Sequence, residues 1–271
     1  MSPWRLFPLG THNAYMNMAM DEAIMNAVAE SRAPDTLRLY RWEPSAVSIG
    51  RFQDVDEAVN LEACRDLNID VVRRITGGGA VYHDYEGEIT YSLIARDLGS
   101  TIPRDTLQAY GVICGGIVRA LRDLGLSVEF RGDKKHSCPD VLINGRKVSG
   151  NAQTRRRGVI LQHGTILLNL NPRIMSKILR IPHVGTGYSL ARRLGEKVTS
   201  VTKELGRSVS FEEMYSMLVG GFQESLRIDF EKGQMTDLEM RLAGELYVQK
   251  YSDPGWNLRG APKIESGHQC L

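Results

Sequence analysis

Cysteine is scarce in this sequence of 271 residues, and no two cysteines are spaced as a C-x-x-C pair. The four cysteines are Cys64, Cys114, Cys138 and Cys270. Their wide spacing argues against a zinc ribbon and against the disulfide framework of small secreted proteins. It fits a protein of a reducing compartment.

Long apolar runs and an excess of one charge are also absent. No stretch approaches the roughly 18 apolar residues of a membrane span, and the proline-broken start MSPWRLFPLG is too short for a signal peptide. With 34 basic and 32 acidic residues, the formal net charge is only +2, which gives no sign of a nucleic-acid partner. We therefore predict a soluble cytoplasmic protein without a membrane or nucleic-acid partner.

Apolar residues make up 42% of the chain, and their periodicity predicts both helices and strands. Residues 14–31 and 103–124 carry apolar side chains at helical spacing. Strands dominate residues 36–170, where an Asn144-Gly145 pair signals a hairpin. Adjacent strands joined by hairpins favour the α+β class, with a mixed, largely antiparallel sheet flanked by helices. The later helices include two expected capping boxes, Ser210 with Glu213 and Thr236 with Glu239.

A triple glycine interrupts the segment RRITGGGAVYHD, residues 73–84. It is not a dinucleotide fingerprint, because the third glycine of G-x-G-x-x-G would fall at Tyr82, and it lacks the Gly-Lys-Ser/Thr of a phosphate-binding loop. Glycines let main-chain N–H groups approach an anion, and Arg73 and Arg74 add bidentate donors for phosphate or carboxylate. A tight bend with surface arginines is the alternative.

A lysine lies within the predicted strand of NGRKVSGNAQTRRRG, residues 144–158. Strand alternation places Arg146 and Val148 on one face and Lys147 and Ser149 on the other. This pattern suits a cation that points into a polar cleft. An exposed lysine on an edge strand would give the same sequence pattern. The run of arginines at 155–157 is more typical of a solvated turn.

Two further residues could carry chemistry. His163 stands alone in the apolar run LQHGTILL, where a hydrogen-bonded core histidine is the usual interpretation. Cys138 follows Lys134, Lys135 and His136, and nearby cations lower the pKa of a thiol and favour the nucleophilic thiolate. An inert cysteine is the alternative.

Taken in order, RRITGGGAVYHD, RKVSGNAQT and HGTILLNL resemble the lipoate–protein ligase and lipoyl/octanoyl-transferase family, and the likeness extends over residues 21–257. The resemblance implies a catalytic domain similar to those of biotin–protein ligases and class II aminoacyl-tRNA synthetases. It implies one catalytic domain over 1–257, a flexible tail over 258–271 and no C-terminal accessory domain.

The resemblance also implies roles for individual residues. Lys147 matches the essential lysine of the family, Asp140 the aspartate that faces the nucleotide and Mg²⁺, and His163 and Gly164 the pair that closes the pocket. The other expected binding residues are Arg73, Arg74, Thr76, Gly77, Gly78, Gly79, Ala80, Tyr82, His83, Ser149, Gly150 and Ala152. A buried cation suits this chemistry, because joining a carboxylate to ATP brings two anions together.

Two branches of the family compete. The ligases activate lipoate or octanoate with ATP to an acyl-AMP and acylate a lysine of a lipoyl carrier protein, either an E2 domain or glycine cleavage H protein. The octanoyltransferases need no ATP and move an acyl group from acyl carrier protein onto a cysteine, here Cys138. Gly79 stands where the cysteine-dependent branch often has arginine, so we predict the ligase, with ATP and Mg²⁺ as cofactors and lipoate as substrate. Without an accessory domain, such a ligase is expected to need a separate accessory-domain polypeptide.

Overall fold

The computed structural model describes residues 3–96, 99, 101–132, 139–181 and 187–259. Cys138 and most of the expected tail lie outside the described residues. The last described element ends at Arg259, two residues beyond the expected domain boundary. No helix in the described ranges is long and apolar enough to cross a membrane.

The chain alternates short strands with helices up to residue 131 and is mainly helical after residue 171. The strands are β1 (Trp4–Leu6), β2 (Gly10–His12), β3 (Thr36–Trp42), β4 (Ala46–Ile49), β5 (Asp70–Arg73), β6 (Val81–His83), β7 (Glu88–Arg96), β8 (Val128–Arg131), β9 (Asp140–Ile143), β10 (Arg146–Arg156), β11 (Val159–Leu167) and β12 (Phe230–Lys232). The helices are α1 (Ala14–Ala29), α2 (Val55–Ala58), α3 (Leu61–Asp66), α4 (Thr106–Asp123), α5 (Pro172–Ile178), α6 (Gly187–Lys197), α7 (Val201–Leu205), α8 (Phe211–Leu226) and α9 (Asp237–Leu246). Two π-helical turns follow, Tyr247–Tyr251 and Gly255–Arg259.

A large mixed sheet forms the centre of the fold. Its described strands run in the order β12-β1-β3-β7-β11-β10-β9-β8, and β2 adds to β3. The pairs from β3 through β8 are antiparallel, whereas β1 pairs in parallel with β3 and β12. The predicted α+β class with a largely antiparallel sheet is therefore confirmed.

Helices cover both faces of the large sheet, because alternate strand residues are apolar on each side. On β7, Ile89, Tyr91 and Leu93 join the core beneath α4 and α8, while Ile94 joins the core beneath α1 and α9. Thr90 and Ser92 of β7 are buried polar residues. A polar strip is therefore enclosed within the sheet, and such groups must find hydrogen-bond partners inside the protein.

A second, small sheet lies beside the large one, with strand order β5-β4-β6. Its own core contains Val47, Ile49 and Tyr82, packed with residues of α2, α3 and α5. The glycine segment links β5 to β6 in this sheet. The small sheet thereby carries the first family motif, while the lysine and histidine motifs are on β10 and β11 of the large sheet.

Local signals in the sequence have mixed outcomes. The Asn144-Gly145 hairpin is confirmed, since both residues have positive φ, 50° and 72°, as a two-residue type I′ turn requires. Thr236 and Glu239 form the complete capping box. At Ser210 only half of the box forms, because the Glu213 carboxylate pairs with Arg207.

Candidate active site

A cavity of about 150 Å³ opens where the small sheet meets β10 and β11. Ten predicted binding residues line it: Arg74, Gly78, Gly79, Ala80, His83, Lys147, Gly150, Ala152, His163 and Gly164. The three sequence motifs, separated by up to ninety residues, therefore converge on one site.

Arg74 organises the glycine segment from inside the protein. It is 4% exposed, and its guanidinium donates five hydrogen bonds, to Ser48 O and Oγ, Thr76 Oγ1, Gly77 O and Gly79 O. Burial lowers the pKa of Arg74 to about 10, so the side chain remains charged at neutral pH. Because these bonds occupy its donors, Arg74 shapes the cavity wall and is not free to bind a phosphate.

Arg73 is not brought into the cavity. Its guanidinium donates to the backbone carbonyls of Gln53 and Trp256, at 2.7 and 3.0 Å, and its backbone N–H donates to Asn257. The two adjacent arginines therefore point to opposite sides of the small sheet. Arg73 fastens the C-terminal π-helical turn to β5.

Three other predicted residues support the cavity without lining it. Tyr82 belongs to the core of the small sheet, as expected for the residue between two strand neighbours that face the other way. Thr76 accepts from Arg74 and bonds His163 Nε2 at 2.8 Å. Gly77 contributes its carbonyl to Arg74.

His83 lies on the small-sheet side of the cavity. Its ring stacks on Trp42, with centroids 3.9 Å apart. The Nδ1 atom is 2.7 Å from Glu88 Oε1, and the Nε2 atom is 2.8 Å from Ser48 Oγ. The stacking and two hydrogen bonds fix both the position and the orientation of the imidazole.

His163 connects the cavity to a buried ion pair. Its Nδ1 atom is 3.4 Å from Asp21 Oδ2, and Asp21 pairs with Arg38 and accepts from Ser92 Oγ. Burial opposes ionisation of Asp21, but Arg38 and the hydrogen bonds of His163 and Ser92 hold the pKa of the Asp21 carboxyl below its usual range. Burial also lowers the pKa of His163. We infer a neutral imidazole facing an ionised carboxylate at neutral pH.

Lys147 lies on the opposite side of the cavity, on β10. Its side chain is 40% exposed, and its Nζ atom is 2.7 Å from Asp140 Oδ1. Asp140 does not line the cavity itself but also pairs with Arg131, at 3.2 Å. The predicted cation in a polar cleft is therefore present, held by an aspartate at its mouth.

The alternation predicted for β10 holds only for its first residues. Val148 is buried in the core opposite Lys147, but a bulge interrupts the register between Lys147 and Ser149. The bulge adds one residue and reverses the phase of the strand. As a result, Gly150 and Ala152 line the cavity with Lys147, whereas Ser149 is buried and bonds Asn151 at 3.5 Å, so the prediction that Lys147 and Ser149 share a face is wrong.

Two glycines keep space in the cavity. A Cβ atom on Gly150 would lie 2.8 Å from Nζ and Cε of Lys147. A Cβ atom on Gly164 would lie 2.3 Å from Asn151 Oδ1 and 2.7 Å from the carbonyl of Gly150. Neither contact is tolerated without movement of its neighbours.

The described cysteines do not fit the role of nucleophile. Cys64 and Cys114 are buried in two different cores, and burial raises the pKa of the Cys64 thiol to about 11 and that of Cys114 to about 12. Cys138, the predicted nucleophile of the transferase alternative, lies outside the described residues. The residue next to it, Pro139, has a carbonyl that accepts from the cavity-lining Asn151 at 3.3 Å.

Asp140, the predicted magnesium ligand, is paired with two cations, and its role toward a metal stays a prediction. Both oxygens of Asp140 face cations, Oδ1 toward Lys147 and Oδ2 toward Arg131. Within the described ranges, no three His, Cys, Asp or Glu side chains cluster as metal ligands. Mg²⁺ is usually held by one or two carboxylates together with substrate phosphates, so Lys147 or Arg131 would have to release Asp140 before it could bind the ion.

Sequence reasoning missed eight further residues that line the cavity, most of them apolar or hydroxyl-bearing. These residues are Met18, Tyr40, Trp42, Ser48, Val81, Thr90, Asn151 and Thr165. Met18 reads as core filler within α1, and Ser48 as an ordinary strand residue. Tertiary contacts of α1 and the pairing of β3, β4 and β7 bring Met18, Ser48 and the residues of β3 and β7 to the site, and no local motif reports those contacts.

Comparison with known proteins agrees with the three motifs. The family model for the lipoyl protein ligase A/B catalytic domain matches residues 13–223. Octanoyltransferase LipM of Kyrpidia tusciae is 38% identical over 276 residues, which cover 96% of this chain and 100% of that protein.

Solved structures show the same relationship. The bipartite lipoate protein ligase of Thermoplasma acidophilum, studied with its E2 lipoyl domain, has a TM-score of 0.83 and 32% identity, covering 98% of this chain and 100% of that one. A lipoate-protein ligase A bound with ATP has a TM-score of 0.82 and 31% identity, covering 95% and 99%.

The prediction of an ATP-dependent lipoate–protein ligase is wrong, because curated relatives that match nearly the whole chain are octanoyltransferases. That prediction gave weight to Gly79, which stands where the cysteine-dependent branch often has arginine. In the structure the carbonyl of Gly79 accepts from Arg74. This bond holds the loop in place, and it depends on the backbone and not on ATP.

Proposed function

This chain belongs to the family of the lipoyl protein ligase A/B catalytic domain, and we propose that within this family it is an ATP-independent octanoyltransferase. It takes an octanoyl group from the thioester of acyl carrier protein onto Cys138. It then passes the group to a lysine of a lipoyl carrier domain. The observation that carries the proposal is the 38% identity with an octanoyltransferase over 96% of the chain.

The lining of the cavity supports an acyl substrate. Met18, Trp42, Ala80 and Val81 offer apolar surface, which suits an alkyl chain that gains free energy on leaving water. Lys147 places an ammonium group on the other side. A molecule with an apolar chain and an electrophilic carbonyl matches this division.

In the first step the Cys138 thiolate attacks the thioester carbonyl of the donor. A carbon–sulfur bond forms to Cys138, the bond to the donor sulfur breaks, and the donor leaves as a thiol after taking a proton. Lys147 stabilises the negative charge that develops on the carbonyl oxygen. Its amine can turn from Asp140 to the substrate at little cost, because the lysine side chain is 40% exposed and Asp140 keeps Arg131 as a second partner.

In the second step the neutral amine of the carrier lysine attacks the acyl-enzyme. An amide bond forms, the bond to the Cys138 sulfur breaks, and the thiolate is restored. The amine gives up one proton to water, which balances the proton that the departing donor thiolate took in the first step. Lys147 again faces the carbonyl oxygen. The cycle needs neither a nucleotide nor a metal, since the thioester already supplies the driving force.

The acceptor is a lipoyl carrier domain, either an E2 domain or glycine cleavage H protein. An E2 lipoyl domain accompanies the Thermoplasma acidophilum ligase, and we extend that class of partner to this chain. The expected accessory polypeptide was tied to ligase activity and has no part in the transferase.

The test is acylation of apo-lipoyl domain by the purified chain, followed by intact-mass measurement. Octanoyl acyl carrier protein without ATP is expected to modify the acceptor, whereas free octanoate with ATP and Mg²⁺ is not. Without acceptor, the enzyme itself should gain one octanoyl group that hydroxylamine removes. Modification only in the presence of ATP would overturn the proposal.

Cys138→Ala tests the nucleophile, with Cys270→Ala as the matched control. Each variant removes one thiol, and the proposed mechanism assigns a role to Cys138 and none to Cys270. Cys138→Ala should abolish both the acyl-enzyme and acceptor modification, and Cys270→Ala should retain both. Equal activity of the two variants would remove Cys138 from the mechanism.

A further inference from the structure

Three side chains beside the cavity form a hydrogen-bonded series that the transfer mechanism does not use. Ser48 Oγ is 2.8 Å from His83 Nε2, and His83 Nδ1 is 2.7 Å from Glu88 Oε1. This order of hydroxyl, imidazole and carboxylate is the arrangement by which serine hydrolases activate a nucleophile. We call these three residues the serine relay.

The relay faces the acyl cavity. Ser48 and His83 both line it, and the relay residues are nearly inaccessible, at 3%, 4% and 0% exposure for Ser48, His83 and Glu88. Because Ser48 is buried, only a group that enters the cavity can reach its hydroxyl. Trp42 stacks on the His83 ring and holds it in line with the serine.

Neighbouring groups favour the chemical role of each residue of the serine relay. Glu88 Oε1 faces Nδ1, so Nδ1 carries the hydrogen and Nε2 is free to accept the serine proton. Arg74 Nη1 donates to Ser48 Oγ at 3.1 Å, and a cation at this distance stabilises the alkoxide that forms. Glu88 Oε1 also accepts from Thr90 Oγ1 at 2.6 Å, which holds the carboxylate beside the imidazole.

We propose that Ser48 is a second acyl-accepting nucleophile, and that the chain uses it to hydrolyse acyl thioesters that occupy the cavity. The activity is separate from transfer through Cys138. It would release the free fatty acid when an acyl thioester remains bound without an acceptor. The inference rests on the proposed function only in taking the cavity to bind acyl groups.

The chemistry balances with water as the co-reactant. The Ser48 proton moves to His83 Nε2 while Oγ bonds to the acyl carbon, the carbon–sulfur bond breaks, and the leaving thiolate takes the proton from Nε2. Water then gives a proton to Nε2 and bonds to the acyl carbon. The ester bond breaks, Ser48 regains the proton, and the carboxylic acid leaves.

Cys138→Ala isolates the serine activity, because it removes the nucleophile of the transfer reaction. With octanoyl N-acetylcysteamine thioester as the probe, this variant should release thiol, measured by a chromogenic thiol reagent. Adding Ser48→Ala should lower the rate by about 100-fold or more. His83→Gln should lower it similarly, since Ser48 then has no base.

Ser176→Ala in the same background is the matched control, because Ser176 is a buried serine of α5 that bonds the carbonyl of Arg173. It should leave the rate unchanged. Thermal unfolding of each variant checks that the fold persists. No thiol release by Cys138→Ala, or equal release after Ser48→Ala, overturns the inference.

A second measurement needs no change at Ser48. An alkyl fluorophosphonate should modify Ser48 in the Cys138→Ala protein, and peptide mapping would locate the adduct; no adduct, or an adduct elsewhere, counts against the inference. Acceptor acylation by the wild-type chain tests the proposed function separately. Hydrolysis without transfer would support the serine relay and contradict the proposed transferase function. Transfer without hydrolysis would support the transferase function and contradict the serine relay.

Discussion

The two walls of the cavity hold their polar groups in opposite ways. On the wall from the small sheet, which we call the closed wall, Arg74 is 4% exposed and donates five hydrogen bonds. On the wall from β10, which we call the open wall, the Lys147 side chain is 40% exposed and pairs with Asp140. A buried cation must keep its partners, whereas a solvated one exchanges them at little cost.

The difference assigns separate tasks to the two walls. If Arg74 moved, the carbonyls of Ser48, Gly77 and Gly79 would all lose their hydrogen-bond donor. The closed wall is therefore held in one conformation before substrate binds. Lys147 can leave Asp140 for a substrate oxygen because the lysine side chain is partly exposed and Asp140 keeps Arg131 as a partner. Substitutions on the closed wall should therefore cost stability first, and those on the open wall should cost activity first.

Arg74→Met should produce the largest effect. The variant keeps the length of the side chain but leaves buried carbonyl and hydroxyl oxygens without their donor, so the free energy of unfolding should fall by about 3 to 5 kcal/mol. Urea unfolding followed by circular dichroism measures the change. Arg193→Met, on the exposed side of α6, is the matched control and should change little. Wild-type stability of Arg74→Met would break the contrast between the walls.

Lys147→Ala should lower acyl transfer by about 100-fold or more, because no other group replaces its charge at the developing oxyanion. The free energy of unfolding should fall by less than about 1 kcal/mol, since the lysine is 40% exposed and Asp140 keeps its contact with Arg131. Transfer rates and urea unfolding together make the test, and Lys203→Ala on α7 controls for loss of an exposed lysine. Loss of stability equal to that of Arg74→Met would show that the open wall is also structural.

The sequence predicts which segments form the cavity, because the three motifs occur in the order typical of the family and each contains strand residues. Residues Gly79, His83, Lys147 and His163 all reach the cavity as expected. The hairpin before Lys147 was also predictable, since Asn-Gly tolerates the two positive φ angles that the turn needs.

Side-chain direction was not predictable where long-range contacts decide it. Arg73 and Arg74 are equivalent in the sequence, yet Arg73 turns away because Trp256 and Asn257, more than 180 residues later, supply its partners. The bulge after Lys147 likewise depends on the register with β9. A period-two pattern cannot report an added residue.

Gly150→Ala probes the open wall with a smaller change. The new methyl group would lie 2.8 Å from Nζ and Cε of Lys147, so the flexible lysine should shift while the backbone stays. We expect transfer to fall by about tenfold and stability to change little, measured as for Lys147→Ala. Gly195→Ala on α6, where a Cβ meets nothing within 4 Å, should leave transfer unchanged. Unfolding of Gly150→Ala would indicate that this wall is as rigid as the other.

The smallest effect concerns pH, at the histidine that joins β11 to the glycine segment. Burial lowers the pKa of His163 below its ordinary value of 6.5. Between the two pKa values, His163 is therefore protonated in the unfolded chain and neutral in the folded protein. The stability that this histidine contributes is therefore complete above about pH 6.5 and declines as the pH falls through the window between the unfolded and folded pKa values. Asp21, whose pKa is also lowered, acts in a separate window near and below its ordinary value of 3.8.

His163→Gln removes this titration while keeping a side chain that can hydrogen-bond Thr76. The difference in unfolding free energy between the wild type and His163→Gln, measured in urea from about pH 8 to about pH 5, should become less favourable to the wild type as the pH falls. Each unit of separation between the unfolded and folded pKa values of His163 is worth about 1.4 kcal/mol. The change of the stability difference with pH therefore measures how strongly the folded site disfavours a protonated His163. A difference that grows in favour of the wild type at low pH would mean that Asp21 holds His163 protonated, and that the inner end of the cavity tolerates charge as readily as the open wall does.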